Sequence, residues 1–181
     1  FKELTQTPGK PPKVDIDVYS DPATYIMTGG TTGVPKAAVL SHFNVVSNAL
    51  HAAAWIYKVR PGTCDIGVLP LFHSFAMTCV MNLSIAKGAW MMLFPRPPDA
   101  GTLIDHIEKM APPEGMIYAG AEVLFQKLAE FPGVEKRNLK GLEICVSGAG
   151  PLHRPVQEAF ERTWCLAGSY MLSFTPSTTV R

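Results

Sequence analysis

Residues 25–36 read YIMTGGTTGVPK, and this stretch is the most informative in the chain. An apolar run enters it at Tyr25, and a second apolar run follows it from Ala37 to Leu40. Glycines permit turns that expose consecutive backbone N–H groups, while threonine hydroxyls and a lysine ammonium add donors for phosphate oxygens. The pattern therefore predicts a strand, a polyphosphate-binding loop and a second strand.

Two common nucleotide loops are excluded by the residues around Lys36. A Walker loop needs glycine before its lysine and Ser or Thr after it, whereas Pro35 and Ala37 stand there. The dinucleotide fingerprint needs spaced glycines that lead into a helix, whereas adjacent glycines here lead through Pro35 into an apparent strand. A plain hairpin connection remains the alternative, although this loop is longer and richer in hydroxyls than a hairpin requires.

Composition indicates a globular chain with one cored domain. Of its 181 residues, 47% are hydrophobic and 17% are charged. The 16 basic and 15 acidic residues leave a formal net charge of +1, which provides no broad cationic field for a nucleic acid. Phosphate recognition must therefore be local, and nucleic acid is not an expected partner.

The cysteines and the apolar stretches favour a reduced, cytoplasmic protein. Cys64, Cys79, Cys145 and Cys165 form no CxxC pair, so we predict reduced core residues rather than a zinc site or disulfides. No secretory leader is visible, and attachment to the periphery of a membrane is the alternative location. The apolar stretch 75–94 is divided by Lys87 and Gly88, which favours a buried helix and a buried strand over a membrane span.

Hydrophobic periodicity predicts an α/β fold with a mostly parallel sheet and flanking helices. Ser41 is expected to cap a helix that runs to about Trp55, because Phe43, Val46, Leu50 and Ala54 recur at helical spacing. Beyond it, strands are predicted at 65–69, 90–94, 116–118 and 142–146, and helices at 75–85, 100–110, 121–130 and 155–163. Ligands of such sheets gather at the strand ends.

Three segments in order resemble the adenylate-forming (AMP-binding) superfamily, and most closely its fatty acyl-CoA ligases. They read TGGTTGVPKAAVLSH at 28–42, LPLFHSF at 69–75 and VSGAGPL at 146–152. The resemblance implies part of the large N-terminal domain of such an enzyme. It divides the chain into a linker or approach segment at 1–21, a partial nucleotide-binding domain at 22–164 and a divergent or truncated tail at 165–181.

The resemblance also implies an activity. In this family a carboxylate attacks the α-phosphorus of ATP, pyrophosphate leaves, and a thiol captures the acyl-adenylate. ATP (bound as AMP in the intermediate), Mg²⁺ and CoA are thus the implied cofactors and co-substrates, and a fatty acid is the expected substrate. Alternatives are an adenylation domain for an aryl or amino acid, or a degenerate nucleotide-binding module without turnover.

Site residues follow from the same resemblance. The phosphates are expected at the loop residues Thr28, Gly29, Gly30, Thr31, Thr32, Gly33 and Lys36, and Lys36 and His73 are the expected catalytic side chains. The nucleotide base is expected at Gly148, Ala149, Gly150 and Pro151, with Tyr170 and Ser173 beside it. The alternatives are a packed histidine at His73 and an ordinary strand-to-helix turn at 148–151. No residue is assigned as a metal ligand.

Two departures from the family pattern stand out. Gly120-Ala121-Glu122 occupies the place of a Gly-x-Pro turn, and Phe174 stands where the family carries a magnesium-binding glutamate. The family's ribose-binding aspartate, its hinge and its small C-terminal domain with a catalytic lysine are not seen. We therefore expect the middle of a larger enzyme, inactive in isolation, whose missing C-terminal domain is a partner.

Overall fold

The computed structural model describes residues 9–10, 13–28, 36–56, 58–164 and 170–173. Seven strands lie in these ranges: β1 Pro22–Thr28, β2 Lys36–Ser41, β3 Cys64–Gly67, β4 Trp90–Leu93, β5 Met116–Gly120, β6 Leu142–Ser147 and β7 Tyr170–Ser173. β1 and β2 form an antiparallel hairpin. The other five strands form a parallel sheet in the order β4-β3-β5-β6-β7.

Helices alternate with the parallel strands, as the sequence predicts. They are α1 His42–Trp55, α3 Ala100–Met110, α4 Glu122–Ala129 and α5 Arg154–Trp164, with a composite helix α2 between α1 and α3. α2 is α-helical at Ser74–Ala76 and Leu83–Lys87 and π-helical at Met77–Asn82 between them. A short 3₁₀ helix covers Val134–Lys136. The predicted α/β fold with a mostly parallel sheet is confirmed.

Local capping explains where α1 and α3 begin. The Asn44 N–H donates to Ser41 Oγ at 3.3 Å, and the Ser41 N–H donates to Asn44 Oδ1 at 3.0 Å. This reciprocal pair satisfies backbone groups that the first turn of a helix leaves without partners. At α3, the Thr102 N–H donates to Asp99 Oδ1 at 2.9 Å. Polar side chains just before each apolar run thus fix both starts.

The core has two layers, one on each face of the parallel sheet. Helices α3, α4 and α5 cover one face, where Ile107, Phe125 and Phe160 are fully buried. Helices α1 and α2 cover the other, where Ile56 and Leu83 are fully buried. A parallel sheet covered on both faces leaves its edge of strand ends as the accessible place for chemistry.

Two elements differ in burial from the sequence-based expectation. α1 forms as predicted, but the apolar residues that reveal its period are exposed: Phe43 by 49%, Val46 by 57% and Leu50 by 56%. The small residues Ala49 and Ala53 face the core instead. The prediction of a buried strand at 90–94 is wrong for most of its length, because β4 is the sheet edge and only Met92 is buried.

The described cysteines are buried core residues, as predicted. Cys64, Cys79 and Cys145 are buried and belong to no disulfide among the described residues, and Cys165 lies outside those residues. Burial, followed by the nearby Asp65, raises the pKa of the Cys64 and Cys79 thiols to about 12. Because the thiolate is the reactive form, both thiols are inert at neutral pH. Within the described ranges, no helix is long and apolar enough to cross a membrane.

Candidate functional site

The carboxyl ends of the parallel strands bring two of the three sequence segments to one edge of the sheet. Segment 69–75 follows β3, and segment 148–152 follows β6, with β5 lying between these two strands. The sheet has a topological switch point between β3 and β5. The chain places β4 on one side of β3 and then returns to place β5, β6 and β7 on the other. Open α/β sheets bind ligands outside the carboxyl ends at such a switch point.

Phe75 and Gly148 join the two segments by direct packing. A Cβ added to Gly148 would lie 2.6 Å from Cζ of Phe75 and 2.7 Å from its Cε2. Only glycine fits at this distance, since carbon atoms pack best about 3.5–4.0 Å apart. The Gly148 N–H also donates to the Gly120 carbonyl at 3.1 Å. Three connections at the sheet edge therefore meet around Gly148.

The backbone after Gly148 is unusual at one residue. Ala149 has φ 66°, the one positive φ of a non-glycine residue in the described part of the chain. A left-handed conformation costs an L-residue about 1–2 kcal/mol, and such strain often marks functional loops. Ala149 and Pro151 are exposed, while Gly148 is buried. The segment thus presents a small, strained and exposed surface beside the switch point.

His73 caps the start of α2 rather than packing in the core. Its side chain is exposed, and its Nδ1 accepts the Phe75 N–H at 3.2 Å. An accepting Nδ1 places the ring proton on Nε2, which makes Nε2 a hydrogen-bond donor. The alternative of a buried histidine is therefore wrong. The π-helical turns that follow within α2 are a rare geometry that frequently occurs at functional sites.

The first segment is described only at its two ends. Thr28, the last residue of β1, pairs with Lys36, the first residue of β2. This pair is the one nearest the connection between the two strands. Lys36 is exposed. Gly29, Gly30, Thr31, Thr32 and Gly33 lie outside the described residues. The two predicted strands are confirmed and pair antiparallel, and the candidate phosphate loop that joins them stays a prediction.

Tyr170 and Ser173 lie on β7, the sheet edge opposite β4. Ser173 pairs with Ser147 and Tyr170 with Ile144 in the parallel register. The carboxyl end of β7 therefore lies beside the carboxyl end of β6, next to Gly148. Phe174, the residue in the glutamate position, lies outside the described residues.

Three polar residues on or near the parallel sheet were not predicted from the sequence. Glu122 contacts His153 across the sheet edge, with Oε1 2.8 Å from Nδ1. Ser147, directly before Gly148, is fully buried, and its Oγ has no hydrogen-bond partner among the described residues. Asp65 on β3 is also fully buried and accepts from Ser84 Oγ at 3.1 Å. Ser147 and Asp65 could have been noticed, because each is a polar residue inside an otherwise apolar strand sequence. The contact of Glu122 with His153 leaves no such signal in the sequence.

Burial raises the pKa of Asp65 well above its ordinary value, and the Ser84 hydrogen bond offsets this only in part. Glu122 shows the opposite shift, because the His153 N–H and then the His153 side chain lower its pKa. Asp65 is thus a buried acid that prefers to be neutral, and Glu122 is an ionised carboxylate at neutral pH. Across the described ranges, no three His, Cys, Asp or Glu side chains are grouped to hold a metal ion.

A family profile described as AMP-binding enzyme matches residues 2–173, nearly the whole chain. The chain belongs to this AMP-binding enzyme family. The resemblance carried by the three sequence segments is thereby confirmed. The match also takes in β7, which completes the parallel sheet.

Relatives of this AMP-binding chain include ligases for different acids. It is 36% identical over 148 residues to a long-chain-fatty-acid–CoA ligase of Bacillus subtilis (strain 168), covering 81% of this chain and 26% of the relative. It is 34% identical over 154 residues to 4-coumarate–CoA ligase 2 of Oryza sativa subsp. japonica, covering 83% of this chain and 26% of the relative. The chain thus spans about a quarter of the length of each.

Solved structures agree with the fold. The inhibitor-bound N-terminal domain of FACL13 from Mycobacterium tuberculosis matches with a TM-score of 0.78 at 20% identity, over 98% of this chain and 42% of that one. ATP-bound MatB from Rhodopseudomonas palustris matches with a TM-score of 0.74 at 22% identity, over 90% of this chain and 30% of that one. The parallel sheet with helices on both faces is therefore shared with such enzymes.

Proposed function

We propose that this chain forms part of the ATP site of an AMP-forming ligase that activates a fatty acid. The acid's carboxylate attacks the α-phosphorus of ATP and releases pyrophosphate, which leaves an acyl-adenylate. The thiol of CoA then attacks the acyl carbon, and AMP leaves with the oxygen that bridged it to the acyl group. The 22–164 region would supply the nucleotide site, and the rest of a longer enzyme would supply the thiol site.

The meeting of segments 69–75 and 148–152 around Gly148 is the observation that carries this proposal. These segments are far apart in sequence, yet Phe75 packs against Gly148 and Gly148 bonds to Gly120. The meeting place lies beside the switch point of the parallel sheet, where open α/β folds bind nucleotides. An AMP-binding family assignment and a left-handed residue at Ala149 support the same location.

The proposed roles follow from charge and size. Thr28, Thr31, Thr32 and Lys36 would donate to the phosphates, because a carboxylate approaches an anionic nucleotide only where donors offset the negative charge. Mg²⁺ would accompany those phosphates, since it binds oxygen ligands and commonly uses phosphates with one or two carboxylates.

The second half of the proposed site would hold the base and the substrate acid. The adenine would lie on Gly148, Ala149, Gly150 and Pro151, with Tyr170 and Ser173 beside it. His73 would donate from Nε2 to the substrate carboxylate or gate its entry, because its Nδ1 is occupied by the Phe75 N–H. The cytoplasm is the proposed compartment.

Mutation of the loop tests the phosphate assignment. In the full-length protein, Lys36→Ala and Thr31→Ala should each weaken ATP binding measured by titration calorimetry, by about 1.5–3 kcal/mol for loss of a charge-assisted contact. Lys127→Ala, an exposed lysine on α4, is the matched control and should not change the affinity. Unchanged ATP affinity in both loop variants would show that the phosphates bind elsewhere.

An aryl acid is the second candidate substrate, because the relative from rice is a 4-coumarate–CoA ligase at 34% identity. Pyrophosphate release by the full-length protein should be measured with fatty acids of several lengths and with 4-coumarate. Turnover with fatty acids alone supports the proposal, and turnover with 4-coumarate alone replaces it. ATP binding without turnover on any acid, including amino acids, would favour a degenerate module. The 181-residue chain alone should stay at background.

A further inference from the structure

Glu122 and His153 make a close contact between two connections at the carboxyl edge of the sheet. Oε1 of Glu122 lies 2.8 Å and Oε2 lies 2.9 Å from Nδ1 of His153, and the His153 N–H donates to Oε1 at 3.1 Å. Glu122 is the first residue of α4, directly after the β5 connection. The carboxylate therefore accepts from both the backbone and the side chain of one residue.

The contact falls at the end of the segment that carries the proposed adenine site. The carbonyl of His153 accepts the N–H groups of Val156 at 3.0 Å and Gln157 at 3.1 Å, so His153 is where the chain enters α5. The other end of the segment is Gly148, whose N–H donates to Gly120. Residues 148–152 are thus held at both ends by Gly120 and Glu122, two positions of the same connection.

The interior of this segment needs such anchoring. Ala149 adopts φ 66°, which an L-residue avoids when its neighbours leave it a choice. Ala149 is also exposed, so packing around its own side chain provides little restraint. Contacts at the two ends of the segment are therefore what can select the strained conformation over relaxed alternatives.

We propose that Glu122 and His153 are a positioning pair that holds residues 148–152 in the conformation that receives the adenine. The inference rests on the proposed function, because it concerns the same nucleotide site. Neither side chain is assigned a contact with the nucleotide, and both act through the backbone between them. The backbone N–H bond distinguishes this pair from an ordinary surface ion pair, which would hold only two mobile side chains.

Binding of three ligands to the full-length protein separates an effect on the adenine site from an effect on phosphate binding or on folding. The ligands are ATP, AMP and inorganic triphosphate. Glu122→Ala should weaken AMP and ATP binding by the same factor, on the order of tenfold for loss of the paired hydrogen bonds, and leave triphosphate binding unchanged. His153→Ala keeps the backbone N–H, so it should weaken AMP by only about threefold. Glu122→Gln keeps an acceptor for that N–H and should likewise stay within about threefold.

A matched control lies at the other end of α4. Glu130 is exposed, and its carboxylate accepts from the side chain of its helix neighbour Gln126 at 2.9 Å. Glu130→Ala should therefore leave the affinities for all three ligands unchanged. If Glu122→Ala fails to fold, the decision passes to His153→Ala, which retains both carboxylate and backbone donor.

The possible outcomes are distinguishable. Unchanged AMP affinity in Glu122→Ala and His153→Ala, with normal ATP binding by the wild type, overturns the positioning pair alone. Equal losses for AMP and triphosphate also overturn it, because they indicate a general loss of structure. Absence of ATP and AMP binding in the wild type overturns the proposed function itself. A loss confined to the two ligands that contain adenine supports the pair.

Discussion

The contact between Phe75 and Gly148 predicts a steric coupling that can be measured. Gly148→Ala would place a Cβ 2.6 Å from Cζ of Phe75, so the ring or the backbone must move by about 1 Å to restore a normal carbon separation. Overpacking of this kind costs about 1–3 kcal/mol. We expect a loss of that size in the free energy of unfolding of the 181-residue chain, measured by urea denaturation.

A double-mutant cycle assigns this loss to the Phe75 ring. Phe75→Leu removes the ring atoms that the new Cβ would meet, so the two substitutions together should cost less than the sum of their separate effects, by about 1–2 kcal/mol. Gly150→Ala is the matched control in the same segment, because a Cβ there meets no atom within 4 Å. That control should be neutral or slightly stabilising. Additive losses for Gly148→Ala and Phe75→Leu, within about 0.5 kcal/mol, would refute the contact.

Three further substitutions have defined outcomes in the same urea assay. Ala149→Gly should raise the free energy of unfolding by up to about 1 kcal/mol, because glycine adopts the positive φ without strain; a loss would contradict that geometry. Asp65→Asn should remove the pH dependence of stability that comes from Asp65. Because burial raises the pKa of Asp65 in the folded state, the wild type should be most stable below the ordinary aspartate pKa of about 4 and lose stability as pH rises toward the folded pKa. The slope should be at most about 1.4 kcal/mol per pH unit. Equal slopes for the wild type and the Asp65→Asn variant between about pH 4 and 8 would show that Asp65 is ionised in the fold. Ser41→Ala should cost about 1 kcal/mol by removing the cap of α1, and an unchanged stability would mean that the first turn finds other partners.

The sequence was sufficient for the fold because its helices and strands carry local signals. Ser41 and Asp99 cap the helices that follow them, and the bounds of α3 agree with the predicted range. Local signals do not report which face of an element is covered. α1 shows this, since Phe43 is exposed while Ala49 packs inward. An apolar period therefore predicts a helix but not the direction of its buried face.

The candidate site was predictable as a set of segments and not as a set of contacts. Glycine-rich and aromatic stretches could be located, and the parallel sheet explains why two of them meet. The contact of Glu122 with His153 joins residues 31 positions apart and depends on the register of β5 and β6. The π-helical part of α2 likewise has no composition that distinguishes it from an α-helix. Such features follow from packing between elements, which one sequence does not display.

Transfer of oxygen from the acid to AMP tests the proposed reaction most directly. The full-length protein would be supplied with ATP, CoA, Mg²⁺ and a fatty acid labelled with ¹⁸O in its carboxylate, and the AMP formed would be analysed by mass spectrometry. If the carboxylate attacks the α-phosphorus, the bridging oxygen stays with AMP when the thiol attacks the acyl carbon. We predict one labelled oxygen in each AMP, with pyrophosphate as the other product. Unlabelled AMP, or the release of ADP and phosphate, would contradict the proposed reaction.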